Sequence, residues 1–223
     1  MLPQATLKFL KDIKKNNNKP WFDKHREQYD DTRKEFAIFI QQLIDAHGKH
    51  DANIRELTAK ECVFRFNRDI RFSKDKSPYK THYGASIDKG GKKSIYAGYY
   101  IHIEPGGKSF VGGGLWMPMP SELKKVRQEI DYCHDEFLKI IKAKKFQSVF
   151  GNLYAGEDIS LSKVPAGFEK DSPVAEYLKL KSWLATMALT DAEVTSAQLK
   201  KKVLTAFDTL QPLLNFINRA FDE

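Results

Sequence analysis

The spacing of apolar residues along the chain changes twice, and each change marks a different kind of element. In "TLKFLKDIKK" the residues Leu7, Leu10 and Ile13 recur at helical spacing, which predicts an amphipathic helix broken by the asparagines that follow. Pro20 suits the first turn of a second helix, running to about His47 with Tyr29, Phe36, Phe39, Ile40, Leu43 and Ile44 inward and Gly48 at its end. From Glu61 the period becomes two. Cys62, Phe64, Phe66, Ile70 and Phe72 then share one face and Arg65, Asn67, Asp69 and Arg71 the other, the pattern of a half-buried strand. Arg68 falls on the apolar side of that pattern. Either a bulge at 67–69 turns it outward, or it is buried against a carboxylate or several acceptors, because an unpaired guanidinium in a core is very costly.

A second alternating run sets Tyr79, Thr81, Tyr83, Ala85 and Ile87 against Lys80, His82, Gly84 and Ser86. A third spans Ser94 to Glu104, and "EPGGKS" turns it into a fourth at Phe110 to Trp116, so the order predicts an antiparallel meander. Gly112, Gly113 and Gly114 weaken the last of these strands, which points to a bulge, to a close backbone approach by something else, or to a simple bend. After Pro120 the period returns to helical, with Leu123, Val126, Ile130, Cys133, Phe137 and Ile141 on one stripe and Glu122 near the positive end of the helix dipole. A further strand is expected at Trp183 to Leu189, then a terminal helix capped by Ser196, reaching Ala220 and kinked near Pro212. Together these elements predict an α+β fold in a single domain. It has a helical N-terminal part at about 1–57, a central antiparallel meander sheet at about 61–117 and a helical C-terminal part at about 120–223, with the helices mainly on one sheet face.

At 223 residues the chain can bury a substantial core without metals or disulfides. Its two cysteines, Cys62 and Cys133, lie far apart with no CxxC neighbour, and are read as buried free thiols. The opening segment lacks the apolar run of a signal peptide, and no stretch approaches the ~18 apolar residues of a membrane span. A soluble cytoplasmic protein without membrane contact is therefore expected. The formal charge of +8 matters through its placement: ten cations and only four anions lie between Lys60 and Lys93. So local a positive field favours an anionic partner.

The densest part is "RFNRDIRFSKDKSPYK", with six cations and two carboxylates. In strand geometry same-face side chains stand roughly 7 Å apart, a spacing that suits a phosphate or carboxylate gripped by two guanidiniums. On this reading Arg65, Arg68, Arg71, Lys74, Lys76, Tyr79 and Lys80 bind the anion, and Asp69 and Asp75 orient the arginines. The competing structural reading makes the same residues an ion-pair network of a scaffold or interaction protein, although two carboxylates cannot neutralise six cations. A nucleic-acid partner fits the basic residues, but the alternation sends the phenylalanines away from the charges and no RNP, KH or helix-turn-helix signature is present. An enzyme acting on a phosphorylated or acidic small molecule is the remaining alternative. No catalytic residue is fixed by a motif; Asp69, Tyr79 and His82 are the candidates, with Asp75, His102 and Glu104 as further acid or base groups. "YIHIE" sets His102 and Glu104 on one face, where His82 would be a third ligand, but packing is the commoner use of a strand histidine and no metal is assigned. No cofactor motif is legible: the glycine run lacks both the P-loop pattern and the strand-to-helix setting of a dinucleotide fingerprint.

The stretch "RFNRDIRFSKDKSPYKTHYGASI" resembles the signature of the bacterial domain of unknown function 2461 family, an RxxRDxRFxx[DN]KxxY pattern. Arg65, Arg68, Asp69, Arg71, Phe72, Asp75, Lys76 and Tyr79 occupy its positions. "FLKDIKKNNNKPWFDKHREQY", "GYYIHIEPGGKSFVGGGLW" and "VPAGFEKDSPVAEYLKLK" resemble the family's other blocks, so the likeness covers nearly the whole chain. It implies a shared fold and a shared site, and no reaction.

Overall fold

The computed structural model describes residues 1–222. Helix α1 (Gln4–Lys15) buries Phe9, Leu10 and Ile13 and places Lys14 and Lys15 in its last turn, where the helix dipole favours cations. Asn18 caps α2 (Lys19–Lys24), its side-chain oxygen accepting from the Trp21 N–H at 3.0 Å, and Pro20 lies in the first turn as expected. The single helix expected from Pro20 to His47 is instead broken at His25, whose backbone leaves helical values (φ −112°, ψ 21°) while its ring stacks on Trp21 at 3.8 Å. Helix α3 (Arg26–His47) follows, burying Phe36, Phe39, Ile40, Leu43 and Ile44. Gly48 ends it for lack of room rather than through a left-handed turn: a Cβ there would lie 2.7 Å from the Ile44 carbonyl oxygen and 2.9 Å from the Arg55 Cα.

The strand expected over 61–72 does not form. Thr58 and Glu61 make a capping box that starts a short helix, α4 (Ala59–Cys62). Beyond it the chain keeps two isolated antiparallel bridges, Val63 to Ala85 and Asn67 to Tyr79. Phe66 is buried, but Phe72 at the far end is 95% exposed. Arg68 finds the partners of its second option without full burial: its guanidinium folds back onto the Asp75 carboxylate, the Ser77 carbonyl and the Ser73 hydroxyl, closing 68–77 into a loop.

The four strands are β1 (Tyr83–Asp88), β2 (Gly98–Ile103), β3 (Ser109–Leu115) and β4 (Trp183–Leu189). They form one antiparallel meander of order β1-β2-β3-β4. With ten α-helices among the described residues, the fold is α+β as the pattern predicts. The remaining helices are α5 (Pro120–Tyr132), α6 (His134–Ile141), α7 (Lys144–Phe150), α8 (Ala175–Leu178), α9 (Asp191–Val194) and α10 (Leu199–Asn218). α5 and α6 replace one expected helix, with the break at Cys133. The Ser196 hydroxyl does not cap α10 as expected; it turns back to donate to the Glu193 carbonyl at 3.0 Å, and the helix starts at Leu199.

Two compact units are distinguished. One comprises Met1–Lys92, Tyr100–Val111 and Ala188–Leu204. In it α3 packs on β1, where Phe36 stacks on Tyr83 at 5.4 Å and the Tyr83 hydroxyl meets that of Thr32 at 2.9 Å. Phe9, Phe22, Tyr29, Phe66 and Tyr79 form an aromatic cluster alongside. Strict alternation along β1 and β2 leaves Gly84, Tyr100 and His102 on the opposite face from Tyr83, Ala85, Ile101 and Ile103. The other unit comprises Lys93–Tyr99, Gly112–Met187 and Thr205–Glu223. Here the glycines of β3 serve a close approach: a Cβ on Gly112, Gly113 or Gly114 would fall 2.0, 2.1 or 1.9 Å from the carbonyl oxygens of Ala185, Gly98 and Trp183. Tyr99 packs on Phe207, Phe137 on Phe216, and Arg219 joins α5 to α6 by pairing with Glu129 and Glu136.

Candidate functional site

The loop closed by Arg68 absorbs much of the charge that the sequence concentrates there. Arg71 pairs bidentately with Asp69, at 3.0 and 2.7 Å, and Arg65 stands 3.9 Å from the same carboxylate. The Asp75 carboxylate accepts from the Ser77 hydroxyl (2.6 Å) and N–H (2.9 Å) and from Arg68, and these bonds pull it down to about 2. Lys76 donates to the Ile70 carbonyl at 3.0 Å. Arg71, Lys74 and Lys76 lie exposed on the loop, whereas Arg68 is mostly covered. The ring of Tyr79 enters the aromatic cluster, 7% exposed and 4.1 Å from Phe22.

A cleft of about 350 Å³ opens beside this loop, lined by Lys14, Asn17, Arg68, Asp75, Ser77, Tyr79, Lys80, Thr81 and His82. Of the residues singled out from the sequence it gathers Arg68, Asp75, Tyr79, Lys80 and His82, and it leaves out Arg65, Asp69, Arg71, Lys74 and Lys76. Asn17 shapes the wall. Its amide donates to the Tyr79 carbonyl at 2.9 Å and its carbonyl accepts from the Tyr79 N–H at 3.0 Å, so one side chain pairs with Tyr79 as a neighbouring strand would. Lys80 is half-buried, with its ammonium 5.2 Å from the centre of the Phe64 ring. Burial and then the charges of Arg65 and Arg33 lower its affinity for a proton. No carboxylate pairs with Lys80 among the described residues. Arg33, which donates to the Phe64 carbonyl at 3.1 Å, joins this group of cations from α3.

Four acid or base groups, His82, Tyr100, His102 and Glu104, meet on the outer face of β1 and β2. His82, just before β1, stacks on His102 of β2 with ring centres 4.3 Å apart. The Tyr100 hydroxyl lies 3.3 Å from His102 Nδ1 and Glu104 Oε2 lies 3.2 Å from His102 Nε2. One tautomer of a neutral His102 satisfies both contacts: Nε2–H donates to Glu104 while Nδ1 accepts from Tyr100. Phe110 covers the other side of the His102 ring at 4.9 Å. Burial, helped by His102 and Lys80, pushes His82 down to about 4, and burial also lowers His102 despite the Glu104 carboxylate beside it. Burial raises the Tyr100 hydroxyl to about 12. Lys14 lies 3.4 Å from Glu104 Oε1. An imidazole held between a hydroxyl and a carboxylate is an arrangement suited to proton relay, and nitrogen and oxygen donors of this kind are metal ligands.

Sequence reasoning singled out His82, His102 and Glu104 but missed Lys14, Asn17, Arg33 and Phe110. Lys14, Asn17 and Arg33 reach the site from the N-terminal helical part, and the separation of 62 positions between Asn17 and Tyr79 leaves no local pattern to read. Phe110 had a readable signal, since a β3 residue one place from the buried Val111 faces the same side as His102.

No curated protein and no solved structure matches the chain. The family described as "Conserved hypothetical protein (DUF2461)" matches residues 5–216, nearly the whole length and including every residue of the loop, the cleft and the histidine pair; the chain therefore belongs to that family.

Proposed function

We propose that the protein binds a small phosphate-bearing or similarly anionic ligand in the cleft, through Lys14, Arg68 and Lys80. The observation that carries this reading is the state of Lys80: a half-buried ammonium near the guanidiniums of Arg65 and Arg33, with no carboxylate of its own among the described residues. Like charges held together away from water are costly, and an incoming anion relieves that cost. The ion pairs of the loop serve the structural role weighed above, with Arg68 fixed by Asp75 and facing the cleft. A concave site of this size suits a small molecule rather than the backbone of a nucleic acid.

A second reading is that the bound molecule is a substrate. The observation favouring it is His102, held between a hydroxyl and a carboxylate with a second imidazole stacked on it at the edge of the cleft. On that reading His82 is the candidate acid or base, and Asp69 and Tyr79 are the weaker ones, the first bound to Arg71 and the second packed in the aromatic cluster.

Thermal denaturation against orthophosphate, pyrophosphate, nucleotides and sugar phosphates tests the binding. A ligand that binds only the folded state raises Tm by mass action. The expected result is a rise with one or more phosphate compounds that is lost in Lys80→Met, a variant that keeps the aliphatic packing on Phe64. No rise with any compound, or an equal rise in Lys80→Met, overturns the reading.

A further inference from the structure

We propose that His82, His102 and Glu104 form a binding site for a first-row divalent cation of the zinc class, with one position left open. Their ligand atoms, one from each residue, all lie within 4.8 Å of one another. Tetrahedral zinc with bonds of about 2.0–2.1 Å holds its ligands a little over 3 Å apart, and His102 Nε2 and Glu104 Oε2 already stand at 3.2 Å. Only His82 has to move, and a rotation about its side-chain bonds brings its ring edge toward the other two. Its ring stacks on His102 and has no hydrogen-bond partner among the described residues, so no polar contact is broken by that rotation.

The backbone supports the same assignment. His102 and Glu104 are two residues apart at the end of β2, which puts both side chains on one face, and His82 immediately precedes the neighbouring strand β1. Tyr100, two residues further back on that face, meets His102 Nδ1. With a cation on Nε2 the imidazole carries its proton on Nδ1 and donates to the Tyr100 oxygen, the outer partner that ligating histidines require. Lys14 and Lys108 both approach Oε1 of Glu104, at 3.4 and 3.9 Å, which fixes the carboxylate and leaves Oε2 for the ion. Two imidazoles and one carboxylate select a borderline metal rather than magnesium or calcium, which prefer all-oxygen sets. Three protein ligands also leave room for water or substrate, as in catalytic rather than structural zinc sites. The site stands on its own geometry and does not require the anion-binding reading.

The test is a cobalt titration of chelator-treated protein in phosphate-free buffer, read by the visible absorption of Co²⁺, with Zn²⁺ as competitor. One equivalent of Co²⁺ is expected to give a saturable visible band that Zn²⁺ abolishes. His102→Ala, Glu104→Gln and His82→Gln should each weaken binding at least about ten-fold, and Tyr100→Phe, which removes no ligand, about 10- to 100-fold. His25→Gln and His134→Gln should leave it unchanged. Far-UV circular dichroism checks each variant; if His102→Ala fails to fold, the half-buried His82→Gln and Glu104→Gln carry the test. No saturable band, or a band of unchanged affinity in the folded ligand variants, overturns the proposal. Because phosphate is absent throughout, failure here is distinct from failure of anion binding.

Discussion

Asp88 ends β1 with its carboxyl buried, accepting from the Ser86 hydroxyl at 2.8 and 2.9 Å. Burial raises its pKa to about 7, with the Ser86 bond working in the opposite direction. An acid whose folded pKa lies above its unfolded value keeps its proton in the native state while the unfolded chain has already released it. Its contribution to stability is therefore complete below about pH 4 and is lost as pH rises to about 7. Asp88→Asn retains an acceptor for Ser86 and cannot ionise. The variant should match the wild type near pH 4 and exceed it by about 2 kcal/mol at pH 8, the amide hydrogens taking back part of the gain. Urea denaturation across this range decides it, and a difference independent of pH would refute the assignment. Cys62 responds to the same surroundings, its thiol pushed up to about 12 by burial and then by Asp88, so it is a poor nucleophile at neutral pH.

Among the elements, β3 has the least tolerance for a side chain. Gly112→Ala meets the Ala185 carbonyl oxygen at 2.0 Å with no positive φ involved, so its cost is steric and should exceed about 3 kcal/mol. Gly106→Ala, in the turn before β3, has nothing within 4 Å and pays only for its left-handed φ of +86°, about 1 kcal/mol. Chemical denaturation of the two variants separates crowding from backbone strain, and equal costs would contradict this account. Both glycine clusters were visible in the sequence, but whether Gly112–Gly114 meant a bend or a close approach depended on a strand at 183–189 far along the chain. The same kind of distance explains the lost strand at 61–72. Phe66 is buried in the aromatic cluster as the alternation predicts, but Val63 is buried too, Phe64 turns to Tyr100 and Lys80, and the pattern is lost beyond Arg68, which finds Asp75, Ser73 and Ser77 within its own loop. The helix breaks at His25 and Cys133 left no trace because a single residue out of conformation hardly disturbs a 3.6-residue period, and neither position is Gly or Pro.

For the molecule as a whole, a net charge of +8 would by itself suggest broad attraction to polyanions. Asp69 pairs with Arg71 and, at 3.9 Å, with Arg65, and Asp75 pairs with Arg68, which leaves Lys80 without a carboxylate partner among the described residues. A small phosphate ligand at a hundred times its Kd should stabilise the fold by about 2.7 kcal/mol. That gain should survive added salt far better than binding of an oligonucleotide, whose affinity falls with each counterion released. Parallel melting curves at low and high salt check this, and equal salt sensitivity would return the weight to nucleic acid. Among the described residues no helix is long and apolar enough to cross a membrane. The pairing of Asn17 with Tyr79 also sets a clock on the cleft. Hydrolysis of that amide, a slow and spontaneous reaction of asparagine in any stored or long-lived protein, would leave a carboxylate facing the Tyr79 carbonyl it once donated to. A wall built on one neutral amide would then gain a negative charge in the cleft that Lys80 also lines, and on the proposed reading an old preparation would carry within its own chain a competitor for the anion.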